Sequence, residues 1–199
     1  MDKQVEVPDY EIQDEVAVDP DYTGVIVVDM QNDFVREDGA LAVPGAEESI
    51  EVVGRLLGWA REEGIEVFYT QDTHREGDPE WTIWGEHAEE GTEGWEIVEE
   101  LAPEPGELVF QKARYDGFYG TSLDHELRLL GIDTLIICGT VANICVHYTA
   151  ASAGLRWYDV IHPVDGLSAL TPFDLEATLR QASFLFQATL TRVDGLTAG

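Results

Sequence analysis

Lysine is nearly missing from this chain: Lys3 and Lys112 are its only two, and arginine brings the basic total to 11 against 40 aspartates and glutamates. The resulting formal charge of −29 argues against nucleic acid and anionic membrane surfaces as partners, because both are polyanions. Cysteine is equally scarce. Cys138 and Cys145 provide no disulfide framework. No apolar run is long enough to span a bilayer and no signal-peptide pattern is evident, so the expectation is a cytoplasmic protein. The glycine-rich phosphate turn of dinucleotide-binding folds is missing too; Asp29-Met-Gln-Asn-Asp stands where it would lie.

What is present is enough to build a core, since 44% of the residues are hydrophobic. The acidic excess opposes compaction by self-repulsion, and salt screens that repulsion. The composition therefore reads as a protein of a high-salt interior that unfolds when salt is withdrawn. Residues 1–21 read as an acidic, proline-punctuated arm and 22–199 as a single domain. Within it, apolar runs at 25–28, 65–70, 108–111, 135–138, 160–164 and 188–191 read as strands. Helical patterns alternate with them; the spacing of Ile50, Val53, Leu57 and Ala60 predicts a helix over 46–62, stopped at Gly64. Such alternation predicts an α/β protein: a three-layer, Rossmann-like fold with a six-stranded, mostly parallel sheet and helices on both faces.

In folds of this kind ligands bind beyond the carboxyl ends of the strands. Asp29 ends the first strand, Asp72 follows the second, Lys112 ends the third and Cys145 follows the fourth. Cys145 also opens a helix, where orphan N–H groups and the helix dipole favour a thiolate. Together Cys145, Asp29 and Lys112 supply a nucleophile, a base and a fixed cation. Taken singly they also have plainer readings: a small buried hydrophobe, a turn cap and a solvated edge residue. His125, His147 and His162 lack partner motifs and read as structural.

These residues resemble a known family. Val-Val-Asp29-Met-Gln-Asn-Asp-Phe, Phe-Gln-Lys112 and Gly-Thr-Val-Ala-Asn-Ile-Cys145-Val are similar to the motifs of the isochorismatase-like cysteine hydrolases. The resemblance covers nearly everything after the arm and implies an Asp29–Lys112–Cys145 triad. It also implies a cis peptide between Thr140 and Val141, with the Val141 and Cys145 N–H groups forming an oxyanion hole, and a homo-oligomer. Asp72-Thr-His74 followed by Trp84-Gly-Glu-His87 resembles the metal site of the nicotinamidase/pyrazinamidase branch. That likeness implies a divalent ion, zinc above all, on Asp72, His74 and His87, with Phe34 and Trp84 flanking the substrate ring. Two departures touch the substrate: Ala88 follows His87 where nicotinamidases often carry cysteine, and Arg114 to Phe118 is similar to more general members.

The expected activity is hydrolysis of a small-molecule amide, nicotinamide or a close analogue, through a thioester. The alternatives are carbamoyl-amide or isochorismate cleavage, or a non-catalytic member that only binds ligand. A receiver-type signalling domain would carry its lysine later in the chain. A haloacid-type phosphatase would need aspartate at position 31, which is Gln31.

Overall fold

The computed structural model describes residues 6–199. The central sheet is built from β2 (Thr23–Val28), β3 (Glu66–Asp72), β4 (Leu108–Lys112), β5 (Thr134–Thr140), β6 (Asp159–Pro163), β7 (Leu167–Ser168) and β8 (Thr189–Thr191). Its order is β4-β3-β2-β5-β6-β8, with β7 on β5, and every pairing is parallel. The sheet thus has seven strands rather than the expected six. The reason lies in the register: β6 pairs with β5 only from Thr134 to Ile136, and β7 takes up Gly139 and Thr140 farther along. Two residues are too few to leave a periodic signal in the sequence.

Strand alternation sends side chains to two cores. On one face Val25, Val27, Ile136 and Cys138 pack with Val53, Leu56, Leu57 and Ala60 of α2 (Ala46–Glu62). On the other, Ile26, Val28, Leu135 and Ile137 meet α4 (Leu123–Leu129), α5 (His147–Leu155) and α6 (Pro172–Leu185). Helices on both faces give three layers, as the alternation of patterns predicts. α2 ends at Gly64, whose φ of 75° is the left-handed conformation that glycine adopts without cost. Two one-turn helices, α1 (Asn32–Val35) and α3 (Trp81–Trp84), lie in loops at the carboxyl edge of the sheet.

The proposed arm is anchored over its described part; residues 1–5 lie outside the described residues. β1 (Val16–Val18) pairs with β9 (Leu196–Ala198) in a separate two-stranded sheet. Gln13 N–H donates to Leu190 O at 2.8 Å, and the Thr191 hydroxyl donates back to Gln13 O at 2.8 Å. Of the described residues, no helix is long and apolar enough to cross a membrane.

The topology fixes where chemistry can occur. From β2 the chain first builds outward through β3 to β4, then returns to β5 on the opposite side of β2. The strand order reverses at β2, and a crevice opens there beyond the strand ends.

Candidate active site

Asp29 leaves β2 in a left-handed conformation with φ 49°, uncommon for a residue with a Cβ. The turn is held by Asp29 N–H to Thr70 O at 3.2 Å and by Gln31 N–H to Asp29 O at 2.7 Å. It tucks the carboxylate against the neighbouring strands. Thr70 Oγ1 donates to Asp29 Oδ1 at 2.7 Å, and Lys112 Nζ stands 2.7 Å from Asp29 Oδ2. That second contact is an ion pair without an aligned hydrogen bond, leaving Oδ2 with open acceptor capacity.

Lys112 is the hub. Its Cα registers with Asp72 across β3 and β4, and Nζ lies 3.1 Å from Asp72 Oδ1 and 3.7 Å from Cys145 Sγ. Burial alone would lower its pKa; the carboxylates of Asp29 and Asp72 outweigh that and raise it well above the usual lysine range. Burial also pushes Asp72 up, but the Lys112 charge and hydrogen bonds from His74 and His87 hold it far below the ordinary carboxylate range. Asp29 is raised, mainly by burial, with Asp72 adding to the shift and Lys112 opposing it.

Cys145 lies in a π-helical turn, Ala142–Val146, that runs on into α5. The Thr140–Val141 peptide before it is cis. Val141 O accepts from the N–H groups of Ile144 at 2.9 Å and Val146 at 3.3 Å. The preference of a helix start for the thiolate is opposed here. Burial raises the Cys145 pKa well above the ordinary thiol range, and the carboxylates of Asp29 and Asp72 raise it further against the opposing pull of Lys112. Desolvation and two anions thus oppose the helix start and favour the thiol.

Beside this trio lies a second cluster. Asp72, His74, Glu80 and His87 are all buried, and their ligand atoms lie within 4.8 Å of one another. His74 Nε2 is 3.0 Å and His87 Nε2 3.6 Å from Asp72 Oδ2. His87 Nδ1 contacts Gly85 O at 2.8 Å, so Nδ1 carries a proton and Nε2 turns to the cluster. His74 lies between two carboxylates, with Nε2 3.0 Å from Asp72 Oδ2 and Nδ1 3.1 Å from Asp78 Oδ2. Two imidazoles and two carboxylates, all buried, are a donor set that fits a divalent ion in exchange for the protons the rings hold against Asp72 without it.

A cavity of roughly 240 Å³ joins the two clusters. Phe34, Trp84, Tyr115, Ile144 and Leu170 form its apolar walls, with the segment 40–43; Asp72, Glu80, His87 and Cys145 supply its polar lining. Trp84 Nε1 donates to Tyr115 OH at 2.9 Å, fixing one wall. Among the described residues, no lysine or arginine lines the cavity. All ten site positions expected from the sequence therefore gather at one end of the sheet, though Thr140 is fully buried in the turn behind it.

Sequence reasoning overlooked Glu80, Asp78, Tyr115 and Thr70. Glu80 had a signal: it lies four residues before Trp84, one helical turn away, and so on the same face. Thr70 and Tyr115 had none, because their relevance arises from strand pairing and loop packing. His125, His147 and His162 do not line the cavity. Ala88 is buried, with its N–H donating to Asp33 Oδ2 at 2.7 Å.

Comparison with known proteins agrees with this geometry. The isochorismatase domain family matches residues 23–194. A ureidoacrylate amidohydrolase of Methylorubrum extorquens is 34% identical over 198 residues, covering 86% of this chain and 80% of its own. The crystal structure of N-carbamoylsarcosine amidase from Thermoplasma acidophilum superposes with a TM-score of 0.80 at 38% identity, covering 86% of this chain and 96% of its own. Pyrazinamidase of Pyrococcus horikoshii, solved in complex with zinc, gives 0.82 at 29% identity, over 86% and 99% of the two chains.

Proposed function

The chain belongs to the isochorismatase family, and from that premise we propose that it is a cysteine amidohydrolase converting nicotinamide, or a close neutral analogue, to the acid and ammonia. The observation that carries the reaction type is the buried contact of one ammonium with both Asp29 and Cys145, the latter lining the cavity. Asp29 takes the thiol proton as substrate displaces water from the cavity, and Lys112 holds the thiolate that results. The sulfur attacks the carboxamide carbon. The N–H groups of Val141 and Cys145 receive the oxyanion, a contribution worth a few kcal/mol per preorganised donor in comparable sites, about 3 kcal/mol. The C–N bond breaks, the Asp29 proton leaves with ammonia, and water hydrolyses the thioester with Asp29 again as base.

The substrate assignment rests on charge. A carboxylate-bearing substrate entering this cavity would face Asp72 and Glu80 with no lysine or arginine in the lining. A neutral heteroaromatic amide meets no such opposition, and Phe34 and Trp84 offer it flat apolar walls. Asp72, His74, Glu80 and His87 would hold the divalent ion, zinc by the donor set, and that ion supplies Lewis acidity toward a ring nitrogen.

A second reading, cleavage of a ureido or carbamoyl amide, is favoured by the names of the relatives at 34% and 38% identity. It uses the same cysteine chemistry and would need the ion or Arg114, displaced from Asp78, to receive the substrate carboxylate. Ammonia release from nicotinamide, N-carbamoyl amino acids and ureidoacrylate by zinc-supplemented protein separates the two. Nicotinamide should lead in kcat/KM. The reverse order selects the second reading. Turnover of none, with folded protein, leaves only ligand binding.

A further inference from the structure

Past β2 the chain carries three polar side chains in succession, Gln31, Asn32 and Asp33, none of which lines the cavity. All three reach toward Asp72 and the loop that follows it. The Gln31 amide donates to Asp72 O and Trp95 O, each at 2.8 Å, and accepts the Asp72 N–H at 2.7 Å. Asn32 Nδ2 donates to Glu93 O at 2.8 Å. Asp33 differs from its neighbours in dividing one carboxylate between two loops. Its Oδ2 accepts the Ala88 N–H at 2.7 Å, and its Oδ1 accepts the Ala40 N–H at 3.2 Å.

Each of those N–H groups belongs to a part of the site. Ala88 follows His87 directly, is fully buried, and has φ 45°, a left-handed conformation that residues with a Cβ disfavour. Its carbonyl accepts the His74 N–H at 2.9 Å. One residue thus joins the backbones of both candidate histidine ligands, and the Asp33 carboxylate grips it by its N–H. Ala40 opens the segment 40–43 that walls the cavity. Asp33 O and Phe34 O accept the Leu41 and Val43 N–H groups of that segment, each at 2.9 Å. Gly94 closes the carboxylate in, since a Cβ there would collide with Asp33 Oδ1. A carboxylate can serve both N–H groups because each oxygen is an acceptor; an amide replaces one acceptor with a donor.

We propose that Asp33 is a positioning residue that couples the metal cluster to the substrate wall, setting His87 through Ala88 and the 40–43 segment through Ala40. The inference rests on the metal reading above, and its test leaves all four candidate donors in place. Asp33→Asn removes one acceptor, whereas Gly94→Ala keeps the charge and drives the carboxylate aside. Zinc affinity of the full chain in molar KCl, read by competition with a chromogenic chelator, should fall roughly tenfold in both variants. In wild type, added zinc should slow amide hydrogen exchange over both 86–90 and 39–43. In the variants that protection should stay confined to 86–90, a separation that a merely structural role would not produce. Gly94→Ala decides the matter if Asp33→Asn shows no melting transition. Unchanged zinc affinity in the variants overturns the proposal, as does protection of 39–43 that is missing from wild type or persists in the variants. A wild type that takes up no zinc overturns the metal reading and this inference with it, so the two failures are told apart.

Discussion

Lys112 Nζ stands 2.7 Å from Asp29 Oδ2, and both groups are almost completely buried. The same ammonium also serves Asp72, so one cation balances two carboxylates. Lys112→Met would leave both anions without compensation in the interior. A loss of about 3–5 kcal/mol of stability is expected, together with loss of amide hydrolysis. Adding Asp29→Asn should restore part of the stability and none of the activity. Chemical denaturation of the single and double variants checks this; equal stability of Lys112→Met and wild type would show that the pair carries no such strain.

Asp78 lies 3.1 Å from both His74 Nδ1 and the Arg114 guanidinium, and its Oδ1 accepts the Glu80 N–H at 2.9 Å. It orients an imidazole whose other nitrogen faces the candidate metal cluster. Asp78→Asn is expected to reduce zinc affinity by roughly 10–100-fold while the metal-free protein melts near wild type. Competition with a chromogenic chelator gives the constant. His74→Ala and His87→Ala should go further and abolish stoichiometric metal binding.

The Trp84–Tyr115 hydrogen bond fixes one wall of the cavity without reaching the thiol. Tyr115→Phe removes the acceptor and costs about 1 kcal/mol in wall order. KM should rise about fivefold with kcat nearly unchanged, because uniform binding is lost rather than transition-state contact. A fall in kcat alone would assign Tyr115 to the chemistry instead.

His162 is fully buried on β6, with Nδ1 donating to Ile137 O at 2.8 Å, and burial lowers its pKa to about 4. In the unfolded chain the ordinary value is near 6.5, so between these limits only the unfolded state binds the proton. Stability should therefore fall as pH drops from about 6.5 to 4, by about 3 kcal/mol from this residue. His162→Asn should flatten that part of the stability curve. Denaturation midpoints measured at several pH values in one high-salt buffer provide the comparison, and an unchanged slope would contradict the assignment.

The charge of −29 makes salt the remaining lever. Raising KCl from about 0.1 M to molar levels shortens the screening length from about 10 Å to 3 Å. The melting temperature should climb steeply over that range, and a flat response would mean that the acidic surface is tolerated without screening.

How far the sequence determined this protein can be read residue by residue. Apolar runs and helical spacing depend only on local pattern, so β2, α2 and the parallel architecture followed from the chain alone. Because strand ends in a parallel sheet share an edge, the clustering of Asp29, Asp72, Lys112 and Cys145 was legible as well. The tertiary structure decided what depends on neighbours distant in sequence. The two-residue β7 exists only because β5 outruns its pairing with β6. Glu80 joins the candidate metal cluster because the loop carrying α3 brings it to Asp72, His74 and His87. Burial and two carboxylates likewise raise the pKa of Cys145, against the local preference of a helix start for the thiolate. Local propensities act over a few residues, whereas desolvation and charge coupling act through space, and only the folded chain brings those charges within a few ångströms of one another.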